Sequence, residues 1–126
     1  MDRPRATLVA TTLDAPDPRA LAAFYRHLLG WDLVEDSPEW VSIGPPGGGH
    51  RLSFQAEPHH VPPVWPAGDG DQRLQLHLDV EVDDLAAAGA HAEAGGAVLA
   101  AFQPQEGVRV YLDPAGHPFC LFLPGS

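Results

Sequence analysis

Leu74-Gln75-Leu76-His77-Leu78-Asp79-Val80-Glu81-Val82 alternates apolar and polar side chains without a break, and Asp83-Asp84-Leu85 follows at once. A period of two over this length predicts a strand with one apolar and one polar face. The alanine-rich run that follows reads as a helix ending at Gly95-Gly96. Its inward positions, Leu85, Ala88 and Ala92, are mostly small, so the helix must lie close on its sheet. Strands are expected at 97–102, 108–112 and 119–123. The last two are joined by Asp113-Pro114-Ala115-Gly116, which places Asp, Pro and Gly where a type I turn prefers them. This part of the chain reads β-α-β-β-β.

Working back toward the N-terminus, the same order recurs. A strand rich in Thr, Val and Leu is expected at about 6–13. Asp14-Ala15-Pro16-Asp17-Pro18 ends it and opens a helix, with Asp17 as N-cap and Pro18 in the first turn. Leu21, Phe24, Tyr25, Leu28 and Leu29 form one apolar stripe, which Gly30 terminates. Short strands follow at 31–35, 40–43 and 51–57, the last two separated by the Gly/Pro cluster 44–49. A Pro-rich linker, 58–71, divides the halves. The fold class predicted is α+β: one domain, 1–126, of two paired βαβββ modules at about 1–57 and 72–126. The modules are expected to form a curved mixed sheet around a ligand cavity, because each alone would leave a sheet face uncovered.

The composition sets limits on function. In 126 residues there are seventeen acidic and seven basic side chains, all of the latter arginine, for a net charge of −10. An acidic surface argues against nucleic acid and anionic membrane as partners and favours a cationic ligand. Cys120 is the only cysteine, so no internal disulfide forms and a reducing compartment is expected. No run resembles a signal peptide or approaches the ~20 apolar residues of a membrane span. Cytoplasmic localisation is the expectation.

Seven motifs occur in an order that resembles glyoxalase-like proteins of the vicinal oxygen chelate superfamily. They are Asp17-Pro18-Arg19-Ala20-Leu21-Ala22-Ala23-Phe24-Tyr25, Leu28-Leu29-Gly30-Trp31, Phe54-Gln55, Pro62-Pro63-Val64-Trp65-Pro66, His77-Leu78-Asp79, Val82-Asp83-Asp84-Leu85 and Asp113-Pro114-Ala115-Gly116-His117-Pro118-Phe119-Cys120. That superfamily includes lactoylglutathione lyase, extradiol dioxygenases, fosfomycin-modifying enzymes and bleomycin-binding proteins. The resemblance implies paired modules, a homodimer and a small-molecule ligand in the concave sheet. In metal-using members it also implies four ligands, usually two His and two Glu, from the first and last strands of each module. The corresponding positions here are Thr7, Gln55, His77 and Cys120, of which only His77 is a typical donor at such a site. No metal or other cofactor is therefore expected.

His77 and Asp79 share a strand face that Gln75 and Glu81 extend, and a polar row on a sheet needs water or a ligand to satisfy it. The predicted ligand-binding set is Trp40, Gln55, Trp65, His77, Asp79, Arg109 and Tyr111, with His77 also the candidate catalytic base because imidazole titrates near neutrality. Trp65 lies in the linker, which could cover the cavity as a lid. Trp31 reads as core, His59-His60 as a solvated linker, His117 as a turn residue and Cys120 as a small buried hydrophobe. The function expected is small-molecule binding by a glyoxalase-like protein with a degenerate metal site. The alternatives are a metal-dependent lyase or dioxygenase using His77, and a resistance protein sequestering a cationic drug.

Overall fold

A computed structural model describes residues 3–125. The chain divides into two units, Met1–Pro58 and His59–Ser126. In the first, β1 (Ala10–Ala15) leads into α1 (Pro18–Leu29), then β2 (Asp32–Asp36), β3 (Trp40–Gly44) and β4 (Arg51–Ala56). The strand order is β1-β4-β3-β2, with β1 parallel to β4 and the other pairs antiparallel. The helix is set by local signals. The Asp17 carboxylate accepts the Ala20 amide at 3.1 Å, and Gly30 takes the left-handed conformation (φ 72°) that closes the last turn. Leu21, Phe24 and Tyr25 are buried, and Tyr25 stacks on Phe54 of β4 with ring centroids 5.8 Å apart. Burying side chains of this size contributes about 1.5–3 kcal/mol each.

The second unit repeats the order with β5 (Leu78–Glu81), α2 (Leu85–Ala94), β6 (Val98–Leu99), β7 (Val108–Leu112) and β8 (Pro118–Phe122). Its sheet runs β5-β8-β7-β6, with β5 parallel to β8. Asp84 caps α2 by accepting the Ala87 amide at 3.0 Å. The helix lies close to its sheet at Gly89, where an added Cβ would stand 2.5 Å from the Tyr111 hydroxyl oxygen. That hydroxyl donates to Glu93 of α2 at 2.9 Å, and its ring stacks on Phe119. Of the linker, residues 59–71 belong to this unit. His60 Nε2 lies 2.9 Å from the Ala115 carbonyl, the Val64 amide donates to Gln72, and Pro62 fills the space over Gly116. No helix among the described residues is long and apolar enough to cross a membrane.

Four expectations are corrected. The two βαβββ modules form, but they do not build one curved mixed sheet around a cavity. Among the described residues, there are two separate four-stranded sheets, each open. Neighbouring strands twist by only about 20–25°, and small closed barrels need about eight strands, so four do not curl closed. The first strand begins at Ala10 rather than near 6, leaving Leu8 and Val9 exposed, because its partner β4 begins only at Arg51.

The alternating run from Leu74 becomes strand only at Leu78. β8 starts at Pro118, which has no N–H to extend a ladder, and the residues before it are used in the Asp113–Gly116 turn. Leu76 is therefore outside the strand and exposed rather than under a helix. Finally, β6 is two residues long where six were expected. The Gln103 side chain takes over the pairing by bonding the Ala100 and Val110 carbonyls and the Val110 amide. At the opposite edge, the β2–β3 register slips by one residue between Leu33 and Glu35, a β-bulge at Val34.

Candidate functional site

β5 and β8 run side by side with Asp79 opposite Cys120. This register, together with the residue just before β5, gathers the main cluster. One donor atom from each of His77, Asp79 and Cys120 lies within 4.8 Å of the other two. His77 Nε2 and Asp79 Oδ1 are 3.1 Å apart, on side chains 31% and 58% exposed, so the pair faces solvent. Cys120 is buried. Burial, and then the neighbouring Asp79 carboxylate, push its thiol up to about 11, so it stands protonated at neutral pH. Among the described residues, this is the only group of three or more His, Cys, Asp or Glu side chains placed to hold an ion.

Trp65 completes the cluster from the 58–71 segment. Its ring stacks on the His77 imidazole at 4.9 Å with 24° between planes, and meets Phe102 edge-on at 5.1 Å. An aromatic plate, an imidazole and a half-exposed carboxylate thus stand together. Sequence reasoning gave no sign of Phe102, whose contact depends on how the linker folds back. His60 and His117, read as linker and turn residues, lie with ring centroids 4.8 Å apart beside the Asp113–Gly116 turn.

On the first unit, Trp40 and Gln55 lie opposite each other on the sheet face turned away from α1. Gln55 Nε2 donates to Asp14 at 2.6 Å, Trp40 Nε1 donates to Glu35 at 3.3 Å, and Ser42 joins Glu35 to Ser53. Glu35 organises this row and was missed, since nothing in its local sequence marks it. Arg109 and Tyr111 are placed differently from the rest of the expected set. They share the face of β7 that carries the phenol to α2, opposite to Cys120. The Tyr111 hydroxyl is pushed up to about 12 by burial first and by its bond to Glu93 second. Arg109 bonds the Glu106 and Val108 carbonyls.

The donor chemistry does not fit a set of two His and two carboxylates drawn from both modules. Thr7 is exposed and lies before β1. The pairs Asp14–Gln55 and Asp79–Cys120 occupy equivalent places, so the residue of the first unit that matches His77 is Thr12. A hydroxyl and an amide whose nitrogen is turned to Asp14 are poor ligands. The cluster of the second unit is weak and incomplete, with three donors where a closed tetrahedral site has four.

Residues 10–122 match the family described as the glyoxalase-like domain. Among solved structures, an enzyme of the glyoxalase/bleomycin resistance protein/dioxygenase family from Burkholderia phytofirmans superposes with a TM-score of 0.69 at 21% identity, over 94% of this chain and 98% of its own. TnmS3, an antibiotic binding protein from a Streptomyces species, gives 0.62 at 20% identity, over 98% and 100%. Lactoylglutathione lyase from Agrobacterium tumefaciens gives 0.60 at 18% identity, over 97% and 96%. At these identities the likeness is one of fold. No curated protein matches the sequence.

Proposed function

From the premise that this chain belongs to the glyoxalase-like domain family of the vicinal oxygen chelate superfamily, as a small-molecule-binding member with a degenerate metal site, we propose that its ligand is a small organic cation bearing an aromatic group. The observation that carries this reading is the Trp65–His77 stack beside the half-exposed Asp79 carboxylate. A cation on an aromatic face gains about 0.5–2 kcal/mol, and a carboxylate next to that face adds direct attraction. Glu81 follows two residues after Asp79 on the same strand face, and the net charge of −10 raises the local concentration of cations.

Trp40 and Gln55, with Glu35 and Asp14, offer the same pairing of indole and carboxylate on the first unit. His77 acts in this reading as the positioning partner of Trp65 and Asp79, and binding without chemistry is sufficient. The antibiotic-binding relative is a precedent for that mode on this fold. Arg109 and Tyr111, engaged on the α2 side, have no part in it.

The test is a tryptophan-fluorescence titration with benzyltrimethylammonium, its neutral tert-butyl analogue and benzoate. We expect the cation to bind at least tenfold more tightly than the neutral analogue and to weaken as salt rises. Asp79→Asn and Trp65→Ala should each lower its affinity about tenfold, or ~1.4 kcal/mol. Equal binding of cation and neutral analogue, or preferential binding of benzoate, would overturn the reading.

A further inference from the structure

We infer that the first unit carries a separate site for a small organic carboxylate with an apolar tail, at the end of its sheet where β1 and β4 begin. Thr7, Leu8 and Val9 on one side, and Gly49, His50 and Arg51 on the other, line a cavity of about 450 Å³. That volume falls within the range of small-molecule sites, about 300–1,000 Å³. The parallel β1–β4 register runs from Ala10–Arg51 to Asp14–Gln55, so the cavity lies about 13 Å along the strands from Gln55. It shares no residue with the Trp40–Gln55 row or the Trp65–His77 stack.

Charge is the first argument. None of the lining residues is acidic, in a chain with seventeen acidic side chains. Arg5 and Arg3 stand just before Thr7, so three of the seven arginines lie on this cavity or close to it in the chain. Screening limits the reach of more distant charges to about 8 Å at physiological ionic strength, so these neighbours outweigh the net charge of the whole molecule. Arg51 is also uncommitted. Arg19 pairs with Asp36, and Arg26 and Arg109 bond carbonyls, whereas the Arg51 guanidinium has no ion pair or hydrogen bond among the described residues.

The second argument is how the walls are held. The Arg51 amide donates to the Val9 carbonyl at 2.9 Å, which carries the ladder one step beyond β1. On the other side, the Gly48 amide closes a turn onto the Pro45 carbonyl at 3.0 Å, fixing the approach to His50. His50 Nε2 lies 2.8 Å from the Thr11 hydroxyl. With that hydroxyl donating to Nε2, the ring proton sits on Nδ1, which can donate to an anion. Arg51 supplies the fork that meets a carboxylate with two parallel hydrogen bonds. Leu8 and Val9, 82% and 62% exposed, are apolar surface for an alkyl tail to cover. This charge preference is opposite to that of the organic-cation reading and rests on other residues, so either can fail alone.

The isotopically labelled full chain would be titrated with hexanoate, acetate and hexylammonium and followed by heteronuclear NMR, including the arginine Nε–H signals. No tryptophan lines the cavity, so this readout is separate from the fluorescence titration. We expect hexanoate to saturate at one per chain and to shift the amides of Leu8, Val9, Gly49 and His50 together with the Arg51 Nε–H. Acetate should bind about tenfold more weakly, and hexylammonium should leave these signals in place. Arg51→Gln should weaken hexanoate about tenfold and Leu8→Ser about fivefold. Both side chains are exposed, so neither change disturbs the core. Hexanoate that leaves these signals unmoved would overturn the inference. So would an equal response to hexylammonium, acetate binding as tightly as hexanoate, or an affinity unchanged in Arg51→Gln.

Discussion

Replacing Gly89 by Ala tests the placement of Tyr111 beneath α2, and its sign should depend on a single oxygen atom. The new Cβ would stand 2.5 Å from the Tyr111 hydroxyl oxygen and 3.5 Å from the ring carbon that bears it. Only the first distance is prohibitive. Relief requires the hydroxyl or the helix to move by about 1 Å, either overpacking the interface, at about 1–3 kcal/mol, or stretching the 2.9 Å bond to Glu93, at about 1.5–3 kcal/mol. Against this, Ala is favoured over Gly within a helix by about 1 kcal/mol.

The net expectation for Gly89→Ala is a loss of about 1–2 kcal/mol, or ~3–10 °C in melting temperature. In a Tyr111→Phe background the oxygen is gone and the remaining contact is ordinary. There the same change should be neutral or stabilising by up to about 1 kcal/mol. Urea denaturation of the four proteins, followed by circular dichroism, measures the coupling, expected near ~2 kcal/mol. If Gly89→Ala destabilises both backgrounds equally, the phenol does not lie where we place it, and Tyr111 returns to the list of ligand-binding candidates.

Two further outcomes follow from packing in the second unit. The Cys120 thiol is raised from the ordinary 9 to about 11, so between those values the unfolded chain loses a proton that the folded chain keeps. Its contribution is complete below pH 9 and is lost as pH rises toward 11. Cys120→Ala should flatten this alkaline fall of ~2–3 kcal/mol in urea-derived stability, and an unchanged slope in the variant would contradict the assignment. Gly116→Ala should cost about 2–3 kcal/mol, since Gly116 has a φ of +85° and an added Cβ would lie 2.6 Å from Pro62 Cβ. A melting temperature within a degree of the parent would show that the 58–71 segment is not pinned there.

Elements that depend on neighbours in sequence were legible. Asp17, Pro18 and Gly30 mark α1 at both ends, and the period of two puts His77 and Asp79 on one face, where they pair. What failed was set by partners distant in the chain. Nothing between Leu74 and Val82 records that the partner strand begins at a proline, so the strand was read four residues too long at its start. Val108-Arg109-Val110-Tyr111-Leu112 invites an inward valine face and an outward polar one. The structure buries both faces here, Val110 on one and Tyr111 on the other, because Gly89 leaves room for a phenol and Glu93 accepts its hydrogen bond. The approach of Cys120 to Asp79 needed the β5–β8 register, and the stack of Trp65 on His77 needed the path of the linker. Two open sheets in place of one curved sheet is the largest miss, since sheet closure depends on the number and tilt of strands and leaves no local trace.

The bulge at Val34 bears on colloidal behaviour. β2 is an outer strand of its sheet, all five of its residues are exposed, and Leu33 and Val34 present apolar side chains there. A flat strand of this kind would be a template for a second chain to add to. The extra residue breaks the even spacing of amides and carbonyls that such an addition requires, and Asp32, Glu35 and Asp36 place like charges where two copies would meet. At this edge, protection against strand addition therefore comes from irregularity and negative charge, and it is separable from the packing of the core.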